Sequence, residues 1–335
     1  MSARRVAALA AMTIALAGCT ASVQGYPSST LGRPSSPSAH PSSPSATTGS
    51  RPASPPSDPT RATGAPVHIK LKFSDGQTFG VGIPVIAFFS KHITDATALQ
   101  DATTVRINGA KVSGGHWFFE PVAGHPGYPI EGDYRLRNPW PAHAKIFVDI
   151  PAEGLSAGAG LAFDDSLTSS FATGASHIAV VDNSTHRLTL VTDGKTEGSY
   201  PVSLGAATTP TAHGIKVIME KGISICMSGP GYHDCGVKYT QRLTYGGEYL
   251  HAAPWNCIGA PGCAGPYNNI GHANSSNGCT NLRPDDAKKL FDILRIGDLV
   301  KFPNADGPSM TMGAGYGDWN VPWPQWLTGG AVGRI

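Results

Sequence analysis

Only one stretch of this 335-residue chain carries a clear helical period. Ala287, Leu290, Phe291 and Leu294 recur at i, i+3, i+4 and i+7, the spacing that lines one face of a helix. Its ends are marked by Pro284 at the first position, Asp285 and Asp286 in the first turn, and Gly297 just past the end. From residue 66 onward almost everything else is short runs rich in Val, Ile and Thr, interrupted by glycine or proline. With 41 glycines and 28 prolines doing the interrupting, a helical core has nowhere to form, and the expectation is a mainly β protein.

The N-terminus reads differently. Arg4 and Arg5 precede an apolar run over residues 6–17 that is too short for a stable membrane span, which is the pattern of an export signal. Residues 20–65 are rich in Ser, Pro, Thr, Ala and Gly, nearly free of large apolar side chains, and unable to bury a core. They are expected to form a disordered tether, roughly 40 Å across as a coil and about 140 Å if fully extended. The remaining length suits about two domains. A formal charge of +2 with both signs scattered excludes a nucleic-acid footprint, which needs clustered Lys and Arg. No later stretch has the 18 or more consecutive apolar residues of a transmembrane helix.

Strand-like runs at 67–73, 85–89, 104–107, 116–120, 145–150 and 169–172 predict a β-sandwich, with Trp117, Phe118 and Phe119 read as packing residues rather than a ligand platform. A second set follows at 178–181, 187–192, 199–204 and 215–220, with a turn-rich loop over 206–214. His186 and His213 lie beside these strands and are read as surface or packing residues. The chemistry concentrates later. Cys279 follows Gly278 in a polar turn (His272, Asn274, Ser275, Ser276, Asn277) just ahead of the predicted helix, where a reactive group can be exposed yet held still. A thiol needs a base or a positive neighbour to ionise near neutral pH, and His251, at the end of a strand-like run, is the best-placed candidate.

Ser276-Asn277-Gly278-Cys279-Thr280-Asn281 with the upstream His251 resembles the signature of the L,D-transpeptidases, which cross-link bacterial peptidoglycan through a cysteine. The family usually has Ser-His-Gly-Cys here, so Asn277 departs from it, while Asn281 matches the actinobacterial branch. Further similarity lies at residues 75–82, 209–214, 251–255 and 317–323, and covers about 66–328. The resemblance implies an Ig-like β-sandwich followed by a catalytic β-sandwich of mixed sheets with a short helix. It also implies acyl transfer through a thioester on Cys279, activated by His251, whose ring the Ala252 carbonyl orients. Backbone N–H groups around Gly278 and Cys279 become the expected oxyanion donors. Residues 227–239 become the substrate-covering lid, with Met227 and Tyr232 lining the pocket, and Ser276, Asn277 and Asn281 shaping the turn and binding substrate. His272 is a candidate to stand in for the missing histidine. Leu16-Ala17-Gly18-Cys19 resembles a bacterial lipobox, which makes Cys19 a lipidation site.

Setting aside Cys19 and Cys279 leaves Cys226, Cys235, Cys257 and Cys263, which an exported protein can oxidise. Three connectivities are open, and closeness favours Cys226–Cys235 with Cys257–Cys263. Zinc is the competing reading, disfavoured by the spacings. The expected organisation is a signal peptide (1–18), lipidated cysteine and linker (19–65), Ig-like domain (66–175), catalytic domain (176–304) and a Trp-rich extension (305–335). The extension's Trp319, Trp323 and Trp326 are read as packing the tail rather than stacking on carbohydrate. The expected activity is 3-3 cross-linking of peptidoglycan stem peptides in cell-wall biosynthesis, with no metal or cofactor. The expected place is the outer face of the cell membrane, lipid-anchored and reaching into the wall. Two rivals stand beside it: an L,D-carboxypeptidase of the same fold, and a catalytically silent wall-binding lipoprotein. Oligomeric state is not legible.

Overall fold

The computed structural model describes residues 61–122, 125–229, 231–259, 266–333 and 335, and the backbone of Thr20–Ser22. Cys19 and Cys263, with nearly all of the predicted signal and linker, lie outside the described residues. Strands dominate, as expected, and the sheets are mixed.

Residues up to Thr173 build a two-stranded sheet and two larger ones. One runs Thr78–Phe79, Leu167–Thr173, Lys145–Ile150, Thr104–Ile107, Ala110–Val112; the other runs Ile69–Leu71, Val85–Phe89, Ile130–Leu136, Gly115–Pro121. Lys145–Ile150 shows how sequence sets the face: Ile146, Val148 and Ile150 are buried while Lys145 and Phe147 are exposed, the alternation of a strand with one side on a core. Trp117 and Phe119 are fully buried against Phe89, so this aromatic run is core.

Two expectations need correction. The run at 67–73 is not one strand: Ala65–Val67 pairs in parallel with Leu161–Phe163, and after His68 the chain joins a different sheet as Ile69–Leu71. The strand Ile130–Leu136 was not foreseen, because Glu131, Asp133 and Arg135 disguise it as surface, yet all three are buried. They face the C-terminal tail. Asp133 accepts a hydrogen bond from the Gly317 N–H (2.7 Å), and Arg135 donates to the Gly317 carbonyl (2.8 Å).

Glu120 and Asp318 join this buried group. Burial, then the charges of Asp318 and Asp133, push the Glu120 carboxyl up to about 10; burial pushes Glu131 up to about 7, with Lys72 opposing. An acid with a raised pKa in the folded state binds more protons folded than unfolded, so its stabilisation is present at low pH and lost as pH rises. Thermal unfolding is therefore expected at progressively lower temperature from about pH 5 to about pH 10. Glu120→Gln should flatten that slope and raise the alkaline melting temperature. A melting temperature that holds level across this range in the wild type would show that the cluster carries no such linkage.

The second region is a long mixed sheet that includes Glu220–Gly229, Tyr232–Arg242, Tyr249–Ala252, Thr280–Leu282, Lys195–Ser203, Arg187–Thr192, His177–Asp182, Leu299–Phe302 and Gly214–Val217, in that spatial order. The predicted helix is present as Pro284–Ile293, with Ala287 and Leu290 buried on the core that contains Leu188, Val202 and Leu250. It does not follow the cysteine directly; Thr280–Leu282 intervenes. The run at 215–220 also divides, ending as a strand at Val217 and restarting at Glu220. At the outer edge, Thr20–Ser22 pairs antiparallel with Glu220–Gly229, so the residues just after Cys19 are not coil but an added edge strand.

The two regions are joined closely. The Gly80 N–H donates to the Ile296 carbonyl and the Gly82 N–H to the Gly297 carbonyl, both at 2.8 Å. A Cβ on Gly80 would fall 2.1 Å from the Asp298 nitrogen, so only glycine permits this approach.

Candidate active site

Tyr249–Ala252 and Thr280–Leu282 pair in parallel, with His251 opposite Asn281 and Leu250 opposite Thr280. Side chains alternate along each strand, so Tyr249 and His251 share a face with Asn281 and with Cys279, one residue before its strand. His251, Cys279 and Asn281 line a pocket of about 190 Å³ with Ser276 and Asn277. Met227 and Tyr232 form its other wall from the hairpin Glu220–Gly229 and Tyr232–Arg242. That hairpin is longer than the expected lid at 227–239, because both of its strands run on into the main sheet. Its tip is cross-linked by a disulfide between Cys226 and Cys235, whose Cα atoms are 3.9 Å apart. Cys257 is also disulfide-bonded.

The cysteine is less open than its polar turn suggests. Cys279 is a thiol outside the disulfides and is only 4% exposed, at the floor of the pocket rather than on an exposed loop. Its Sγ donates to the Gly247 carbonyl at 3.7 Å. Gly278 has φ 107°, a backbone conformation that a side chain would strain. Ser276 holds the turn from inside: its hydroxyl donates to the Cys279 carbonyl and accepts the Gly278 N–H at 3.1 Å. The Gly278 N–H is thus directed inward to Ser276.

His251 Nδ1 lies 2.9 Å from the Ala252 carbonyl oxygen. A carbonyl only accepts, so Nδ1 carries the proton and Nε2 keeps its lone pair. Burial pushes the His251 ring down to about 4, with the Ala252 hydrogen bond and the Asp234 charge pulling the other way. At neutral pH the imidazole is therefore uncharged and able to accept a proton. Trp255 stands beside it, ring centroids 5.6 Å apart, half exposed at the pocket.

His272 is exposed and is not among the residues lining the pocket, so it does not replace the histidine that Asn277 displaces. Sequence reasoning missed Asn256 and Asn269, which line the pocket together with Asp234 and Val237 of the expected lid and Ser275 of the polar turn. The only sequence signal for those two was proximity to a cysteine. Cys226, His233 and Cys235 bring their ligand atoms within 4.8 Å of one another, but both sulfurs are spent in the disulfide. The Trp-rich tail lies away from this pocket, packed on the first region.

A thiol just ahead of one strand and a neutral imidazole on the strand paired with it, under a hairpin, make a site suited to cysteine nucleophilic chemistry on a mixed β fold. Residues 176–302 match the L,D-transpeptidase catalytic domain and residues 49–156 a bacterial Ig domain. L,D-transpeptidase 1 of Mycobacterium tuberculosis is 30% identical over 68% of this chain and 81% of its own length. L,D-transpeptidase 2 of the same species is 29% identical over 81% of this chain; the match spans 65% of that relative, and 57% of L,D-transpeptidase 5. A solved structure of LD transpeptidase LdtMt1 in complex with imipenem superposes with a TM-score of 0.54 at 28% identity, covering 70% of this chain and 97% of that one. An L,D-transpeptidase structure from Mycobacterium smegmatis gives 0.52 at 26% identity, covering 72% and 100%. The chain belongs to the L,D-transpeptidase family, with an Ig-like domain ahead of its catalytic domain.

Proposed function

We propose that this chain forms 3-3 cross-links in peptidoglycan by acyl transfer through Cys279. The observation that carries the reading is that the neutral His251 ring, and Cys279 one residue ahead of the strand paired with that of His251, line one pocket. Sγ attacks the carbonyl that links the L-centre of a diamino acid to the terminal D-alanine, and its proton passes to His251 Nε2. That proton then goes to the amine of the departing D-alanine as the C–N bond breaks, leaving a thioester. The side-chain amine of a second stem attacks the thioester, gives its proton to His251, and restores the thiolate as the C–S bond breaks. The Cys279 N–H serves as an oxyanion donor, worth about a hundredfold or more in rate for this chemistry. Ala252 holds the histidine tautomer, Met227 and Tyr232 cover the acyl donor, and Ser276, Asn277 and Asn281 fix the turn and contact substrate.

Purified disaccharide-tetrapeptide tests this by mass spectrometry. Loss of D-alanine with a cross-linked dimer supports the reading; tripeptide without dimer shows a carboxypeptidase instead, and no reaction shows a silent wall-binding protein.

The relative solved with imipenem supports a further expectation: a carbapenem should acylate the same sulfur. The ectodomain beginning after Cys19 should show one reactive thiol and one carbapenem adduct per chain under non-reducing intact-mass analysis, both mapping to Cys279. A second thiol, or an adduct elsewhere, contradicts this.

The lipobox-like residues ending in Cys19 support an exported, lipid-anchored protein at the outer face of the cell membrane. Detergent phase partitioning should place the wild type in the detergent phase and Cys19→Ala in the aqueous phase; an aqueous wild type ends that reading.

A further inference from the structure

Lys216 and Glu248 are a charged pair that the acyl-transfer steps do not use. Lys216 lies on the strand Gly214–Val217, is only 1% exposed, and has its ammonium 3.9 Å from the centre of the Phe302 ring. Its ion-pair partner is Glu248, at the corner that leads into Tyr249–Ala252. A buried lysine needs such a partner, because taking an ammonium out of water costs several kcal/mol.

Two chains of contact run from this pair to the nucleophile. Glu248 follows Gly247, whose carbonyl receives the Cys279 thiol at 3.7 Å. The other Glu248 oxygen accepts the Ala212 N–H at 2.8 Å, and the neighbouring Thr211 hydroxyl donates to the Gly278 carbonyl, also at 2.8 Å. A Cβ placed on Gly278 would come 3.8 Å from the Glu248 side chain, so the carboxylate lies directly beneath the Gly278–Cys279 turn. His251, Asp234 and Tyr232 line the pocket with the thiol, Tyr249 packs with it in one apolar cluster, and the Lys216–Glu248 pair lies below.

We propose that Lys216 and Glu248 are positioning residues that set the ionisation of the Cys279 thiol from beneath its turn, the lysine favouring thiolate and the glutamate opposing it. In a buried setting each charge acts over several ångströms with little screening. Burial lowers the Lys216 pKa, and Glu248 first and Cys279 after it act against that, which ties the lysine to both groups. While they remain paired, the two charges oppose each other beneath the turn. The wild-type balance also depends on both partners being present, which makes single replacements informative.

The inference rests on Cys279 being the nucleophile, so its test reads the sulfur and not turnover. Iodoacetamide alkylation of Cys279 is followed by peptide mapping across pH in the intact ectodomain. Lys216→Met leaves the carboxylate alone beneath the thiol and should move the rate profile to higher pH by about one unit. Glu248→Gln removes the opposing carboxylate and should move it to lower pH, and the double variant should return towards the wild type. Disturbed packing cannot produce opposite shifts of this kind. Profiles that coincide with wild type, or single variants that move in the same direction, overturn the proposal. Glu248→Gln conserves shape and carries the sign test by itself should Lys216→Met not fold. Loss of transpeptidation in Cys279→Ala is read separately, so failure of the nucleophile assignment is distinguishable from failure of this one.

Discussion

Cys279→Ala is expected to bring transpeptidation to background, a loss of about a thousandfold or more, while the protein stays folded. The sulfur is the atom that forms and breaks the acyl bond, and nothing else lining the pocket can replace it. Of the hydroxyls that line the pocket Ser276 is nearest in sequence, but its oxygen is committed to the Cys279 carbonyl and the Gly278 N–H. The structural cost is small. Cys279 packs with Met227, Val237 and Tyr249 in a minor apolar cluster, and the change removes one sulfur, worth about 1 kcal/mol. The turn itself is held by backbone and by Ser276, neither of which needs the thiol. Turnover and the unfolding midpoint should therefore separate cleanly. Substantial residual cross-linking in a folded variant would sink the thioester route.

Much of this site was legible because its chemistry is local. Gly278-Cys279 ahead of a capped amphipathic helix, and a histidine closing a strand-like run, are short-range patterns, and the strands carrying them pair side by side. The regular sandwich strands were legible for the same reason: Lys145–Ile150 alternates in sequence as it does in burial. What escaped depends on long-range contacts. Ile130–Leu136 reads as a surface stretch because the partners of its buried Asp133 and Arg135 are backbone groups of a tail nearly two hundred residues away. The exposure expected of Cys279 failed because the lid hairpin closes over it, and hairpin length depends on how far both strands continue into the sheet. Which way the Gly278 N–H points is decided by a hydroxyl two residues earlier.

Trp326→Ala is expected to destabilise the folded protein by about 3–5 kcal/mol while leaving the Cys279 pocket intact. Trp326 is fully buried, although it sits nine residues from the C-terminus of this sequence. Its indole stacks on Phe118 with centroids 4.8 Å apart, and Nε1–H donates to the His116 carbonyl at 3.0 Å. The Arg135 guanidinium lies 3.8 Å from its ring centre, which gives that buried cation an aromatic face in place of water. Removing the indole opens a cavity, orphans a carbonyl and exposes Arg135 and its acidic neighbours to an unsatisfied environment. It also loosens the segment beyond it. There the chain runs along the edge strand Gly115–Pro121, donating from Ala331 to the Phe119 carbonyl (2.8 Å) and accepting the Phe119 N–H at Gly329 (3.2 Å). That pairing covers an otherwise open sheet edge, so its loss should also promote self-association. Denaturant unfolding and cross-linking activity below the melting range should be measured together. A midpoint close to wild type would show that the tail is an accessory; a lower midpoint with normal activity would show that it secures the Ig-like domain and does no chemistry.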